Sequence, residues 1–207
     1  MERNVKKSTL VASSAFVLLI LMVSGFAFNA RKSGARDARS AGTSPNLPAY
    51  THDGKLLLPA SYREWVFLSS GFGMNYSSGS GGHPMFTNVF VTPEAYQGFK
   101  SAGKWPEKSM FVVEIYSPTS EGSINKGGYY QHELQGLDVE VKDSSQKSEW
   151  TYYNFSPSDR EATGVTGSCN SCHAEHGAVE HTFVQFYPTL LEFARQKHLL
   201  KPDVAVR

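Results

Sequence analysis

The sequence predicts an α+β domain: mostly antiparallel β-sheet, short flanking helices and a C-terminal helix. Three observations carry this. Short runs rich in β-branched and aromatic residues recur between residues 86 and 155, separated by turn-forming residues. Helix signals are confined to brief stretches, the clearest opened by Pro93 and Pro188. Strands in succession without a long crossover pair antiparallel, because parallel pairing needs one.

Residues 1–7 form a basic head, followed by an apolar run from 15 to 23 and small residues at Ser24, Gly25 and Ala27. That order is the order of a secretory signal, with Gly25-Phe26-Ala27 as a cleavage site. The uncharged stretch 9–30 is also long enough for a membrane anchor, although Arg31, Lys32, Arg36 and Arg39 disfavour translocation of that end. Residues 1–30 thus read as a signal peptide or an N-terminal anchor. Either places the folded part outside the cytoplasm, in a bacterial-type periplasm, and limits membrane contact to this segment. Residues 31–50 read as a linker and 51–202 as the folded domain.

Within the domain, residues 59–66 read as a short helix and 77–82 as a flexible Ser/Gly loop. Phe86–Val91 reads as a strand. Thr92 and Pro93 then start a helix, as N-cap and first helical residue, that ends near Gly103. Residues 110–116 are the clearest strand. Gly127-Gly128 introduces another at 129–133, and 137–141 alternates apolar and acidic as a half-buried strand does. Trp150–Phe155 is an aromatic strand, 164–168 a loop, and Pro188 opens the last helix with Leu190, Leu191, Phe193 and Ala194 on its apolar face.

A net charge of +1, from 20 basic and 19 acidic residues, gives no electrostatic footprint for nucleic acid. Aromatic residues make up 13% of the chain, enough to wall a planar cofactor, though core filling accounts for any one of them.

The two cysteines of the chain fall in Cys169-Asn170-Ser171-Cys172-His173. This is the attachment pattern of a c-type haem. Two thiols at that spacing reach the two vinyl groups on one porphyrin edge, and the next imidazole lies under the ring, within reach of the iron. One covalent haem c is the expected cofactor, with His173 as the metal ligand. Other chemistry stays open here. A redox dithiol uses the same C-x-x-C, but in a βαβ context that the glycine-rich approach lacks. Cys169, Cys172, His176 and His181 have the residue types of a zinc site. A disulfide closing so short a loop would constrain the unfolded chain little. His52, His83, His132 and His198 lie apart and read as surface residues, whereas His176 and His181 are close enough to touch a haem propionate.

Leu56-Leu57-Leu58-Pro59, Tyr62-Arg63-Glu64-Trp65, Pro93-Glu94-Ala95-Tyr96, Trp150–Phe155, residues 169–175 and Phe183-Val184-Gln185-Phe186-Tyr187-Pro188 keep an order and spacing that resemble the cytochrome P-460 family, over about residues 52–200. The resemblance implies a mostly β haem c protein, usually a homodimer, with five-coordinate iron and an open distal face. The founding members oxidise hydroxylamine, some act on nitric oxide, and they carry an extra lysine–porphyrin bond. The similar cytochromes c′-beta lack that lysine, have an apolar distal pocket and bind nitric oxide or carbon monoxide.

Aligned through the Pro93 helix, Val113 stands where the cross-linking lysine would be and Thr87 where a distal arginine would be. Residues 110–116 contain no lysine; Lys108 precedes them and Lys126 follows, each either a substitute from a loop or a solvated side chain. If Val113 faces the haem, Phe111 and Ile115 share its face and Glu114 points away; Met85, Val89 and Val91 go with Thr87. Such a wall suits a neutral diatomic, while hydroxylamine oxidation wants a positioned base. Glu175 is the first carboxylate to weigh for that role, with Asp138 and Glu140. The chain thus looks closer to the c′-beta type. Its candidate functions are binding of nitric oxide or a related nitrogen oxide, conversion of hydroxylamine or nitric oxide, and electron transfer to a redox partner with Met74, Met85 or Met110 as distal ligand.

Overall fold

The structure is a computed structural model that describes residues 46–74, 83–165 and 167–204. The segment 1–30, most of the expected linker and the loop at 77–82 lie outside them. Along the chain come β1 (Leu56–Leu57), β2 (Val66–Phe72), β3 (Phe86–Val91), α1 (Pro93–Ala102), β4 (Met110–Thr119), β5 (Tyr130–Lys142), β6 (Trp150–Phe155), β7 (Glu161–Ala162), α2 (Ser168–His176) and α3 (Pro188–Gln196). Single 3-10 turns lie at Tyr62–Glu64, Val184–Phe186 and Pro202–Val204. β2 to β6 form one sheet in chain order, antiparallel throughout, and β1 pairs with β7 apart from it. This is the α+β architecture that the strand pattern predicts.

Local chemistry explains the bounds. Pro93 opens α1 where its missing N–H costs nothing. Gly103 closes it at φ +71°, its N–H donating to Phe99 O. Thr92 stands at the N-cap, but its hydroxyl makes no capping bond. The expected helix at 59–66 shrinks to the turn Tyr62–Glu64, and β2 follows. Buried Tyr62 and Trp65, three apart, mimic helical spacing, while Ser69, Ser70 and Gly71 disguise the strand. The two expected strands at 129–133 and 137–141 are one, β5. Its pairing with β4 shifts register between Ile115 and Tyr116 and again before Pro118, so its side-chain alternation changes phase midway.

The sheet has a core on each face. On one, Met110, Val112, Val139, Val141, Tyr153 and Phe155 pack with Leu56, Tyr62 and Trp65. On the other, Val91, Phe111, Trp150 and Tyr152 pack with Phe99 of α1, Trp105, and Leu190 and Ala194 of α3. Trp105 stacks on Phe99 at 4.1 Å, and its Nε1 donates to buried Thr182 Oγ1 at 2.8 Å. Each large apolar side chain so buried contributes about 1.5–3 kcal/mol. Residues 46–50, the tail of the expected linker, are fastened to the domain. Asn46 accepts from Trp65 Nε1 at 2.9 Å, and Tyr50 bridges to Leu56. Among the described residues no helix is long and apolar enough to cross a membrane.

Candidate functional site

The face that carries α1 and α3 also holds a cavity of about 480 Å³, within the range of cofactor sites. Strand register builds one wall. Ser69, Val89, Val113, Asp138 and Asn154 stand side by side across the sheet. Gly71, Thr87 and Ile115 form the row on one side of them, and Phe111, Glu140 and Tyr152 the row on the other. The expected sharing of a face by Phe111, Val113 and Ile115, and by Thr87 and Val89, holds, and all five line the cavity. Glu114 faces the other way, as its parity requires.

α2 and the turn Val184–Phe186 supply the opposite wall. Cys169, Cys172 and His173 stand at i, i+3 and i+4, hence on one helix face, and all three line the cavity. Both cysteines are free and half-buried. Helix propensity does not explain α2, which is short and rich in Ser, Asn and His. Its C-terminal carbonyls are capped from outside: Gln185 Nε2 donates to His176 O at 2.8 Å and Lys201 Nζ to Ala174 O at 2.6 Å. Gln185 also accepts from Ala178 N at 3.1 Å. This is the physical use of the FVQFYP segment: Gln185 clamps the helix end, and Phe183 packs edge-on to His173 with ring centres 4.7 Å apart.

His173 is held from several sides. Tyr152 lies against its ring at 4.5 Å, and its Nδ1 is 2.9 Å from His181 O and 3.2 Å from Glu140 Oε2. A carbonyl oxygen can only accept, so Nδ1 carries the proton and Nε2 keeps the lone pair that binds a metal. Burial lowers the affinity of His173 for a second proton, but Glu140 and the His181 carbonyl outweigh it, and the net shift is upward. Burial raises the Glu140 carboxyl against the opposing pull of His173. Asp138 is reached through the cavity, yet enough protein surrounds it for burial to raise its carboxyl too, despite the bond from Asn154 Nδ2 at 2.6 Å.

Gly177 makes this packing possible. A Cβ there would come within 2.6 Å of His173 O, 2.7 Å of His181 C and 2.9 Å of Thr182 N, all backbone. Gly177→Ala is therefore expected to lower unfolding free energy by roughly 1–3 kcal/mol and to pull the His181 carbonyl off the imidazole. Urea unfolding measures the first effect; an unchanged midpoint would mean that the turn yields without cost.

The other expected residues fall elsewhere. Glu175 lies outside the cavity, its side chain 75% exposed and 3.9 Å from His176 Nε2. Two positions past His173 is roughly 200° round a helix, so Glu175 faces solvent when His173 faces the cavity. Asp138 and Glu140 are the carboxylates that line it. Lys108 is ion-paired to Asp143, Lys126 is exposed, and no lysine is among the lining residues described. The zinc arrangement does not form: His176 points to solvent, His181 Nδ1 sits 3.4 Å from Tyr152 Oη, and no group of three or more His, Cys, Asp or Glu among the described residues is gathered for a metal ion. Gln185, Gly177 and the His181 carbonyl were not singled out as site residues from sequence. Only the closeness of His181 and FVQFYP to the haem motif pointed toward them.

These residues fit a haem c: an apolar wall, two thiols on one helix face, and an imidazole whose Nε2 is free for iron. No curated protein matches the chain. The cytochrome P-460 family profile matches residues 59–184, more than half of the sequence and spanning both walls of the cavity. The chain belongs to the cytochrome P-460 family.

Proposed function

We propose that this is an exported mono-haem c protein whose open distal face binds nitric oxide or a related small nitrogen oxide. The observation that carries the reading is Val113. It sits on the cavity wall between Phe111 and Ile115, where the family resemblance puts a cross-linking lysine. Cys169 and Cys172 would hold the porphyrin edge, and His173 would bind the iron from α2. The bound haem supplies an iron that takes a diatomic ligand. The protein's part is to exclude water with Val89, Phe111, Val113 and Ile115 and to present little that could hydrogen-bond the ligand. Thr87 Oγ1, near Gly71, and the side chains of Ser69, Asp138 and Asn154 are the polar groups along that wall.

One observation favours a second reading. Met74 lines the cavity, folded over Gly71 so that a Cβ there would come within 2.5 Å of its sulfur. Met110 is buried in the opposite core. Met74 is thus the methionine to weigh for a His/Met electron carrier.

Optical spectra separate the readings. We expect a high-spin spectrum that shifts with carbon monoxide, and an ordinary reduced Soret band. A low-spin spectrum indifferent to carbon monoxide would favour Met74 ligation. A strongly red-shifted reduced Soret band would favour the cross-linked enzyme.

A further inference from the structure

Two glutamates of the sheet are largely withdrawn from solvent, and they are partnered in opposite ways. Glu114, on the face away from the cavity, accepts from Tyr62 Oη at 2.8 Å, Arg63 Nε at 2.7 Å and Asn88 Nδ2 at 3.1 Å. Those donors compensate its burial. Glu140, on the cavity face, has a side chain only 12% exposed. Its Oε1 is buried with no hydrogen-bond partner among the described residues, and its Oε2 meets His173 Nδ1 at 3.2 Å. A buried carboxylate is costly unless it is paired and hydrogen-bonded. Among the described residues, the polar group that answers Glu140 is the N–H of the residue assigned to the iron.

We infer that Glu140 is a positioning residue that sets the electron-donating strength of the axial histidine through the Nδ1–H of His173. This rests on the reading of His173 as iron ligand. A metal-bound histidine donates its other N–H to an acceptor, which orients the ring and raises its basicity. Here the two tasks fall to different groups. The His181 carbonyl, at 2.9 Å, fixes the ring and its tautomer but carries no charge. Glu140 adds an anion to the same N–H. Tyr152 and Phe183 flank the imidazole and keep Nδ1 turned toward both acceptors. Asp138, two residues along the same strand face, is bonded instead to Asn154 Nδ2 at 2.6 Å, so the effect belongs to Glu140.

A more basic imidazole donates more strongly to iron and favours the ferric state. Hydrogen bonding behind the axial ligand is one of the protein's levers on haem potential. Glu140 would thereby also strengthen the hold of His173 on the iron.

The test uses the haem-loaded protein without added ligand. Resonance Raman of the ferrous state reads the iron–histidine stretch, and spectroelectrochemistry reads the midpoint potential. Glu140→Gln, isosteric and neutral, is expected to lower the stretching frequency. It should also raise the reduced-to-oxidised ratio at fixed poise about tenfold, ~59 mV for one electron. Glu140→Asp, a charge set back from the ring, should fall between. Asp138→Asn removes an equal charge from the same cavity and should leave the frequency in place. An unchanged frequency in Glu140→Gln overturns the inference, whatever the potential does. An equal change in Asp138→Asn overturns it too, by assigning the effect to charge in general. If the unmutated protein lacks an iron–histidine band, the reading of His173 fails first, and the inference with it.

Discussion

The double variant Cys169→Ser/Cys172→Ser is expected to lose all haem on denaturation, while the unmutated protein keeps it. Each thiol adds across one vinyl group: a carbon–sulfur bond forms, and the thiol hydrogen ends on the neighbouring carbon, with no net oxidation. Both sulfurs line the cavity from one face of α2, so the two bonds can form on one porphyrin edge. Such bonds would hold the cofactor near its site after the fold is lost, which no coordinate bond from His173 can do. Haem staining of a denaturing gel makes the comparison directly, and each single variant should retain colour through its remaining bond. The double variant should also melt at a lower temperature, because a haem free to leave the chain stabilises the fold only in proportion to its free concentration. Colour lost from the unmutated protein on denaturation, with both cysteines intact, would overturn the assignment.

The legible parts of the site follow from local rules. Phe86–Val91 and Trp150–Phe155 have the bounds expected from composition, and period two alone puts Phe111, Val113 and Ile115 on one face. The cysteines and His173 are adjacent in sequence, so their shared face needs only a helix turn. What was not legible depends on partners far along the chain. Glu140 reaches His173 only because register sets it beside Tyr152, 12 residues on in sequence, with α2 laid over both. Residues 137–141 alone show only an alternating strand. Glu175, two residues past His173 and nearer to the motif in sequence than any other carboxylate, is singled out by proximity alone, and helical phase turns it to solvent. α2 itself was hidden because its stability comes from Gln185 and Lys201 rather than from its own residues.

No lysine–porphyrin bond is expected, and hydroxylamine turnover should be slow or absent. The structure bears on both halves. A cross-link needs an amine at the cavity wall, and Val113 offers a methyl group there. Lys108, the nearest amine in sequence, is spent on Asp143 and also lies 3.3 Å from Ser145 Oγ. Lys126 stands in the exposed connection before β5. Trypsin should therefore release the haem on one peptide, 161–195, bounded by Arg160 and Arg195. A second peptide joined to the porphyrin through either lysine would overturn this half. The turnover half rests on the macrocycle. An extra covalent bond alters its shape and electronics, and distortion is a lever on haem reactivity. Lack of a base is not the obstacle, since Asp138 lies on the wall directly beside Val113, with its carboxyl raised by burial. Steady-state assay with hydroxylamine and an electron acceptor decides the matter. Robust turnover would place the protein with the enzymes, and Asp138 would then be the proton acceptor to test. Asp138→Asn should in that case cost about 10²–10⁴-fold in rate, the usual contribution of a positioned base, whereas Glu175→Gln, altering a side chain in solvent, should cost nothing measurable.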